Sequence, residues 1–165
     1  MKWVLDTNVP KTANATNTPQ ASSECVRRCA QRLRELMAHH IVVLDDGYHI
    51  LNEYRRQLDS RGQPGVGDMF FKWLLTHQRN PRHCRQVSVH PLLPGERRRY
   101  AEFPDDERLY GFDPADQIFV ATALADGDHP SIVNAVDSDW MLFADVLLMH
   151  DIAIDMVCPE AIKGL

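Results

Sequence analysis

Short apolar runs that close on acidic or polar residues alternate along this chain with stretches whose apolar residues recur at helical spacing. Trp3-Val4-Leu5 ends in Asp6-Thr7-Asn8 and reads as a buried first strand. Residues 41–44 (Ile-Val-Val-Leu) end in Asp45-Asp46-Gly47 and predict a second. Residues 85–89 alternate and predict a third, outer strand. Residues 131–136 end in Asp137-Ser138-Asp139, a fourth strand, and 152–157 form the last. Helices fill the intervals. One runs from a Ser22 or Ser23 cap to about Ala38, with Val26, Leu33, Leu36 and Met37 as its stripe. Others span 48–58, 66–77, 114–126 and 140–149. Asp113 caps the helix over 114–126, Pro114 stands in its first turn and Gly127 ends it. Residues 11–23 read as a polar, mobile loop, and 91–112 as loop-rich with a short helix.

Strands alternating with helices imply an α/β domain whose parallel sheet is covered on both faces. A chain of 165 residues suits one such domain. Hydrophobic residues at 44% and charged residues at 25% exclude a disordered chain. No apolar run approaches the ~20 residues of a membrane helix. The N-terminus reaches Asp6 too early for a signal peptide, so the expected location is the cytoplasm. Cys25, Cys29, Cys84 and Cys158 fit no common zinc spacing. Cys25 and Cys29 share a helical face, and all four are expected to pack as reduced, small apolar residues. The eight histidines show no metal-binding pattern and are read as surface or loop residues.

Net charge is −5, which argues against a surface coated for nucleic acid, but the charge is uneven. Residues 55–99 carry ten Lys/Arg against three Asp/Glu, a local +7 that leaves −12 for the rest. An acidic locus beside a basic flank suits a metal site next to a polyanion track. The bland alternative, equally weighted, is that these arginines are solvated.

The acids carry the chemistry. Asp6 and Asp137 close predicted strands, and in open α/β sheets sites form outside the carboxyl ends of strands. Asp116 opens a helix that points to the same edge, and Glu53 reaches there from a helix. Asp139 stands beside Asp137. Each acid alone has a bland role: Asp6 satisfying backbone donors, Asp116 near a helix cap, Asp137 and Asp139 in a turn, Glu53 paired with Arg56. Gathered at one edge they make an oxygen-only pocket for Mg²⁺ or Mn²⁺. Asp45-Asp46 at a strand end raises a receiver-type phosphotransfer reading, for which Lys163 is the only late lysine.

The ordered set Val4-Leu5-Asp6-Thr7-Asn8, Asn52-Glu53-Tyr54-Arg55, Asp113-Pro114-Ala115-Asp116-Gln117 and Val136-Asp137-Ser138-Asp139-Trp140 resembles the PIN-domain ribonucleases. The likeness spans nearly the whole chain. It implies a three-layer α/β/α sandwich around a central, mostly parallel sheet of four to five strands. It also implies Mg²⁺- or Mn²⁺-dependent hydrolysis of RNA, in toxin–antitoxin pairs or in RNA processing. Asp6, Glu53, Asp116 and Asp137 match the family's acids by position, with Asp139 the competitor for the fourth place. Asn8 matches a residue that orients the first acid, and Thr7 and Asp113 flank as supporting residues. Partners implied are RNA, an antitoxin protein and a second copy of the chain. Arg97, Arg98 and Arg99 are candidates for the RNA backbone. Ala135 departs from the small hydroxyl residue of many relatives, and residues 60–112 are longer and richer in arginine than in compact toxins. The alternative is a catalytically inactive PIN-like module that binds RNA or protein.

Overall fold

The computed structural model describes residues 1–16 and 18–162. Five strands form one parallel sheet: β1 (Lys2–Leu5), β2 (Ile41–Asp45), β3 (Cys84–Val87), β4 (Ser131–Asn134) and β5 (Ile154–Met156). Their order is β3-β2-β1-β4-β5, so the direction of winding reverses between β1 and β4. That reversal opens a crevice at the carboxyl ends of these two strands. Among the described residues seven α-helices cover the sheet in a three-layer α/β/α arrangement: α1 (Asn8–Ala13), α2 (Ser23–His39), α3 (His49–Gln57), α4 (Val66–His77), α5 (Gln117–Ala125), α6 (Ser138–Leu142) and α7 (Ala144–Met149). Helices α1, α2 and α4 pack on one another, while α5 crosses β1, β2 and β4. Among the described residues no helix is long and apolar enough to cross a membrane.

The expected α/β class holds, with all five strands parallel. Burial explains why these runs are strands: Val4, Leu5, Val42, Val43, Leu44, Ile132 and Val133 are all inside, as a sheet covered on both faces requires. Helix α5 is buried from Gln117 to Ala123, and its alanines let it lie close to the strands.

Several local expectations need correction. The polar stretch 11–23 does not begin as a loop, because α1 extends to Ala13 and buries Val9, Thr12 and Ala13 along one face. The helix expected over 114–126 opens as a 3₁₀ turn, Pro114–Asp116, before α5. Its end falls at Asp126, a buried acid held by Lys2 at 2.6 Å, rather than at Gly127. The helix expected over 140–149 starts earlier and breaks at Phe143 into α6 and α7. Cys25 and Cys29 do share a face of α2, but Cys25 is bonded to Cys158, 133 residues away. This disulfide replaces the expected reduced pair. It joins the start of α2 to the segment after β5, beside ion pairs Arg28–Glu160 and Arg32–Asp155. Cys29 and Cys84 remain buried free thiols, and burial pushes each up to about 12.

Candidate metal centre

Asp6 is the first residue past β1. Its backbone N–H still donates to Val133 O of β4, so the chain leaves the sheet at the crevice. The carboxylate is only 5% exposed. Oδ1 accepts from the backbone N–H and from Nδ2 of Asn8, both at 2.7 Å, and Oδ2 accepts from Trp140 Nε1 at 2.8 Å. Asn8 is held in turn: its Nδ2 donates to Asn134 Oδ1, and its Oδ1 accepts from Ala135 N–H at 2.8 Å. Asn134 Nδ2 donates to the carbonyl of Asp137 at 2.8 Å. One amide network therefore ties the ends of β1 and β4 and sets Asp6 against Asp137. Asn8 has the orienting place expected of it, and the backbone of Ala135 serves that network without a side-chain hydroxyl.

Asp116 arrives from the 3₁₀ turn ahead of α5, whose entry Asp113 caps by accepting from Ala115 N–H at 2.9 Å. Asp137 caps α6 by accepting from Asp139 N–H at 2.9 Å. One carboxylate oxygen from each of Asp6, Asp116 and Asp137 lies within 4.8 Å of the other two. Asp139 is not in this set; it supplies a backbone donor and a nearby negative charge. Of the two, it is Asp137 that the fold gathers with Asp6 and Asp116.

Glu53 stands at the rim on α3. It lines the same cavity of about 180 Å³ as Asp6, Thr7, Asn8, Lys11 and Asp116, and its charge is felt at Asp6. Its carboxylate accepts from Arg56 Nη1 at 2.8 Å, the pairing the i,i+3 spacing suggests. The neighbouring Tyr54 donates its hydroxyl to Leu5 O at 2.6 Å, which pins α3 to the end of β1.

The electrostatics follow from crowding. Burial raises Asp6 to about 6, opposed by the bonds from Asn8 and Trp140 and reinforced by Asp137 and Glu53. Asp116 is pushed up to about 9, first by burial and then by Asp6, Asp113, Asp137 and Asp139. Burial also raises Asp137, against the bond from Asp139. Three acids that hinder one another's ionisation leave a concentration of negative charge that a bound cation would offset.

The donor set fits a hard divalent ion. A carboxylate oxygen has about two lone pairs. Asp6 Oδ1 uses both on Asn8, but Oδ2 keeps one beside Trp140. Asp116 is held by neither hydrogen bond nor ion pair among the described residues, and Asp137 spends one oxygen on its cap. Thr7 Oγ1 is buried beside Asp6 with no partner. The atoms that Asp6, Asp116 and Asp137 offer as ligands are all carboxylate oxygens, the donors Mg²⁺ and Mn²⁺ prefer.

Three residues of this centre escaped sequence reasoning. Trp140 closes the Val136–Trp140 motif and starts an expected helix, but nothing in its spacing marks the bond to Asp6. Asn134 carried a usable signal, a polar residue inside an apolar strand run. Lys11 was assigned to a mobile loop, whereas α1 brings it to the cavity.

The arginine run divides. Arg97 lies over the Tyr110 ring at 4.3 Å. Arg98 donates to the carbonyls of Ala101 and Phe103 and braces its own loop. Arg99 alone of the three borders the site, in a cavity that shares Glu53. The wider basic segment divides too, for Arg79 and Arg85 sit with Lys2 at the opposite end of the sheet. Asp45 is capping, not phosphoacceptor chemistry: it accepts from His49 N–H, Ile50 N–H and His49 Nδ1. Lys163 lies outside the described residues.

Comparison of the chain with family models, with curated proteins and with solved structures gives no match.

Proposed function

We propose that this chain is a PIN-like, metal-dependent endoribonuclease that hydrolyses RNA phosphodiester bonds. The observation that carries this reading is the meeting of Asp6, Asp116 and Asp137, from three separate segments, within 4.8 Å at the winding reversal. Among the described residues no lysine or arginine forms an ion pair with any of the three, although an unneutralised acidic trio is costly to bury. The resemblance of the ordered motifs supplies the substrate class.

Asp6, Asp116 and Asp137 would hold Mg²⁺ or Mn²⁺, which when bound lowers the pKa of water and offsets the charge developing on the phosphate. Asn8, Asn134 and Trp140 hold Asp6 at the angle the centre needs, so little reorganisation accompanies reaction. Glu53, at the open rim, orients the attacking water or takes its proton. Lys11 adds positive charge on the side where the phosphate enters.

The test is incubation of assorted RNA and DNA with protein in Mn²⁺ or EDTA, beside Asp116→Asn. Cutting of RNA that needs Mn²⁺ and Asp116 is the expected result. Cleavage that survives EDTA or the substitution would overturn the assignment. Mn²⁺-dependent stabilisation without cutting would favour the inactive binding module instead.

A further inference from the structure

A second cavity of about 180 Å³ shares Glu53 with the cup of acids and is also lined by His49, Asn52, Arg56, Arg99 and Tyr100. Its charge is opposite to the cup's. Arg56 is matched by Glu53, but the Arg99 guanidinium has no hydrogen bond or ion pair among the described residues. Arg97 and Arg98, its neighbours, are both occupied.

Arg99 is also held in register with the acids. Its backbone N–H donates at 2.8 Å to Oε1 of Gln117, a side chain 3% exposed that directly follows Asp116. Its carbonyl accepts from Leu92 N–H, which closes the 91–100 loop behind it. Tyr100 packs edge-on against His49 at 5.5 Å, and Asp45 fixes His49. The wall carrying the free cation is thus bonded to the turn carrying Asp116.

We propose that Arg99, assisted by Arg56, forms a phosphate seat beside the carboxylate cup, holding the backbone phosphate that neighbours the one being cut. This rests on the nuclease reading above for the identity of the strand, and it assigns the strand's path. A divalent ion in a three-acid cup leaves the centre negative or near neutral, and Lys11 adds only one positive charge there, so a polyanion needs a further cation beside the cup. A guanidinium offers planar, paired donors to phosphate oxygens, and Arg99 is the one beside the cup whose donors are unspent. Arg56 can turn from Glu53 to phosphate as the strand enters, which releases the Glu53 carboxylate toward the cup.

The experiment measures fluorescence anisotropy of a labelled single-stranded oligoribonucleotide against salt. It uses the full chain carrying Asp116→Asn, so that the strand survives. Adding Arg99→Ala is expected to weaken binding about tenfold, the loss of one charged phosphate contact. The slope of log K on log salt should fall by ~0.7, one phosphate's worth on a single strand. Arg99→Lys should restore the slope but not all of the affinity. Arg97→Ala should leave both nearly unchanged. In the otherwise wild-type protein, Arg99→Ala should raise KM with little change in kcat.

An unchanged slope in Arg99→Ala, or an equal loss in Arg97→Ala, would overturn the seat. A fall in the melting temperature that accounts for the weakened binding would also overturn it, by making Arg99 structural. The two proposals fail separately. Arg99-dependent binding in a protein that cuts nothing in Mn²⁺ sinks the nuclease reading and keeps the seat. Mn²⁺-dependent cutting that ignores Arg99 sinks the seat alone.

Discussion

Replacing Asp116 by Asn is the cleanest perturbation of the acidic centre. Asp6→Asn is clouded, because that carboxylate accepts three hydrogen bonds from Asn8 and Trp140. Asp116 is raised by burial and by four other carboxylates, and its carboxylate has no hydrogen bond among the described residues to lose. Two like charges 4.8 Å apart repel by ~3.5 kcal/mol at an effective dielectric of ~20. Asp116 faces two such partners. Uptake of a proton relieves part of that repulsion, so the net gain on removing the charge is about 2–4 kcal/mol at neutral pH. For a chain of this size that is a rise of roughly 5–12 °C in melting temperature in EDTA. The assay is thermal unfolding of both proteins, in EDTA and in saturating Mn²⁺. At ~100 times the dissociation constant, Mn²⁺ should stabilise the wild type by about 2.7 kcal/mol. The variant should be the more stable protein without metal and should lose most of the metal response. A variant less stable than wild type in EDTA, or one with an equal Mn²⁺ shift, would refute the reasoning.

Four further outcomes follow from the same geometry. The metal-free wild type should lose stability relative to Asp116→Asn as pH rises. Asp6 and Asp116 sit at about 6 and about 9 against an ordinary 3.8, so their contribution is complete below about 4 and is lost through these two values. Chemical unfolding across pH 4–9 should show the two proteins diverging, with Mn²⁺ closing the gap; parallel curves would refute the crowding. Trp140→Phe keeps the ring packing but removes the donor to Asp6 Oδ2, at a cost of about 1–3 kcal/mol, and should weaken Mn²⁺ binding by titration calorimetry. Gly67→Ala should be destabilising by about 1–3 kcal/mol or more, because its Cβ would lie 2.0 Å from Pro10 O where α4 meets α1; denaturant melts read it, and a neutral result would mean the two helices are not so close. Reduction should cost about 2–4 kcal/mol, since Cys25–Cys158 closes most of the chain into one loop; a melting temperature indifferent to dithiothreitol would mean the bond is not formed.

The apolar runs and their polar ends made β1, β2 and β4 and the α/β class legible, because a strand covered on both faces must be continuously apolar and must end where it meets water; β3, read from its alternation, and β5, with Asp155 inside it, are edge strands outside that logic. The same logic placed Asp6 and Asp137 at one sheet edge, and a capped helix start placed Asp116 there. Chain order could not say more, since spatial neighbours such as Asp6 and Trp140 are 134 residues apart. Tertiary structure brought Asp137 rather than Asp139 beside Asp6 and Asp116, through the turn that caps α6. It turned Lys11 and α1 toward the acids because Val9, Thr12 and Ala13 needed a buried face. It separated three adjacent arginines into a ring contact, a loop brace and a free cation, because each side chain met a different surface. It paired Cys25 with Cys158, a contact that forms only when the last strand docks beside the start of α2. What the residues determine alone is local, the periodicity, the caps and the breaks. What converges on the crevice depends on strand order, which is decided by packing across the whole sheet.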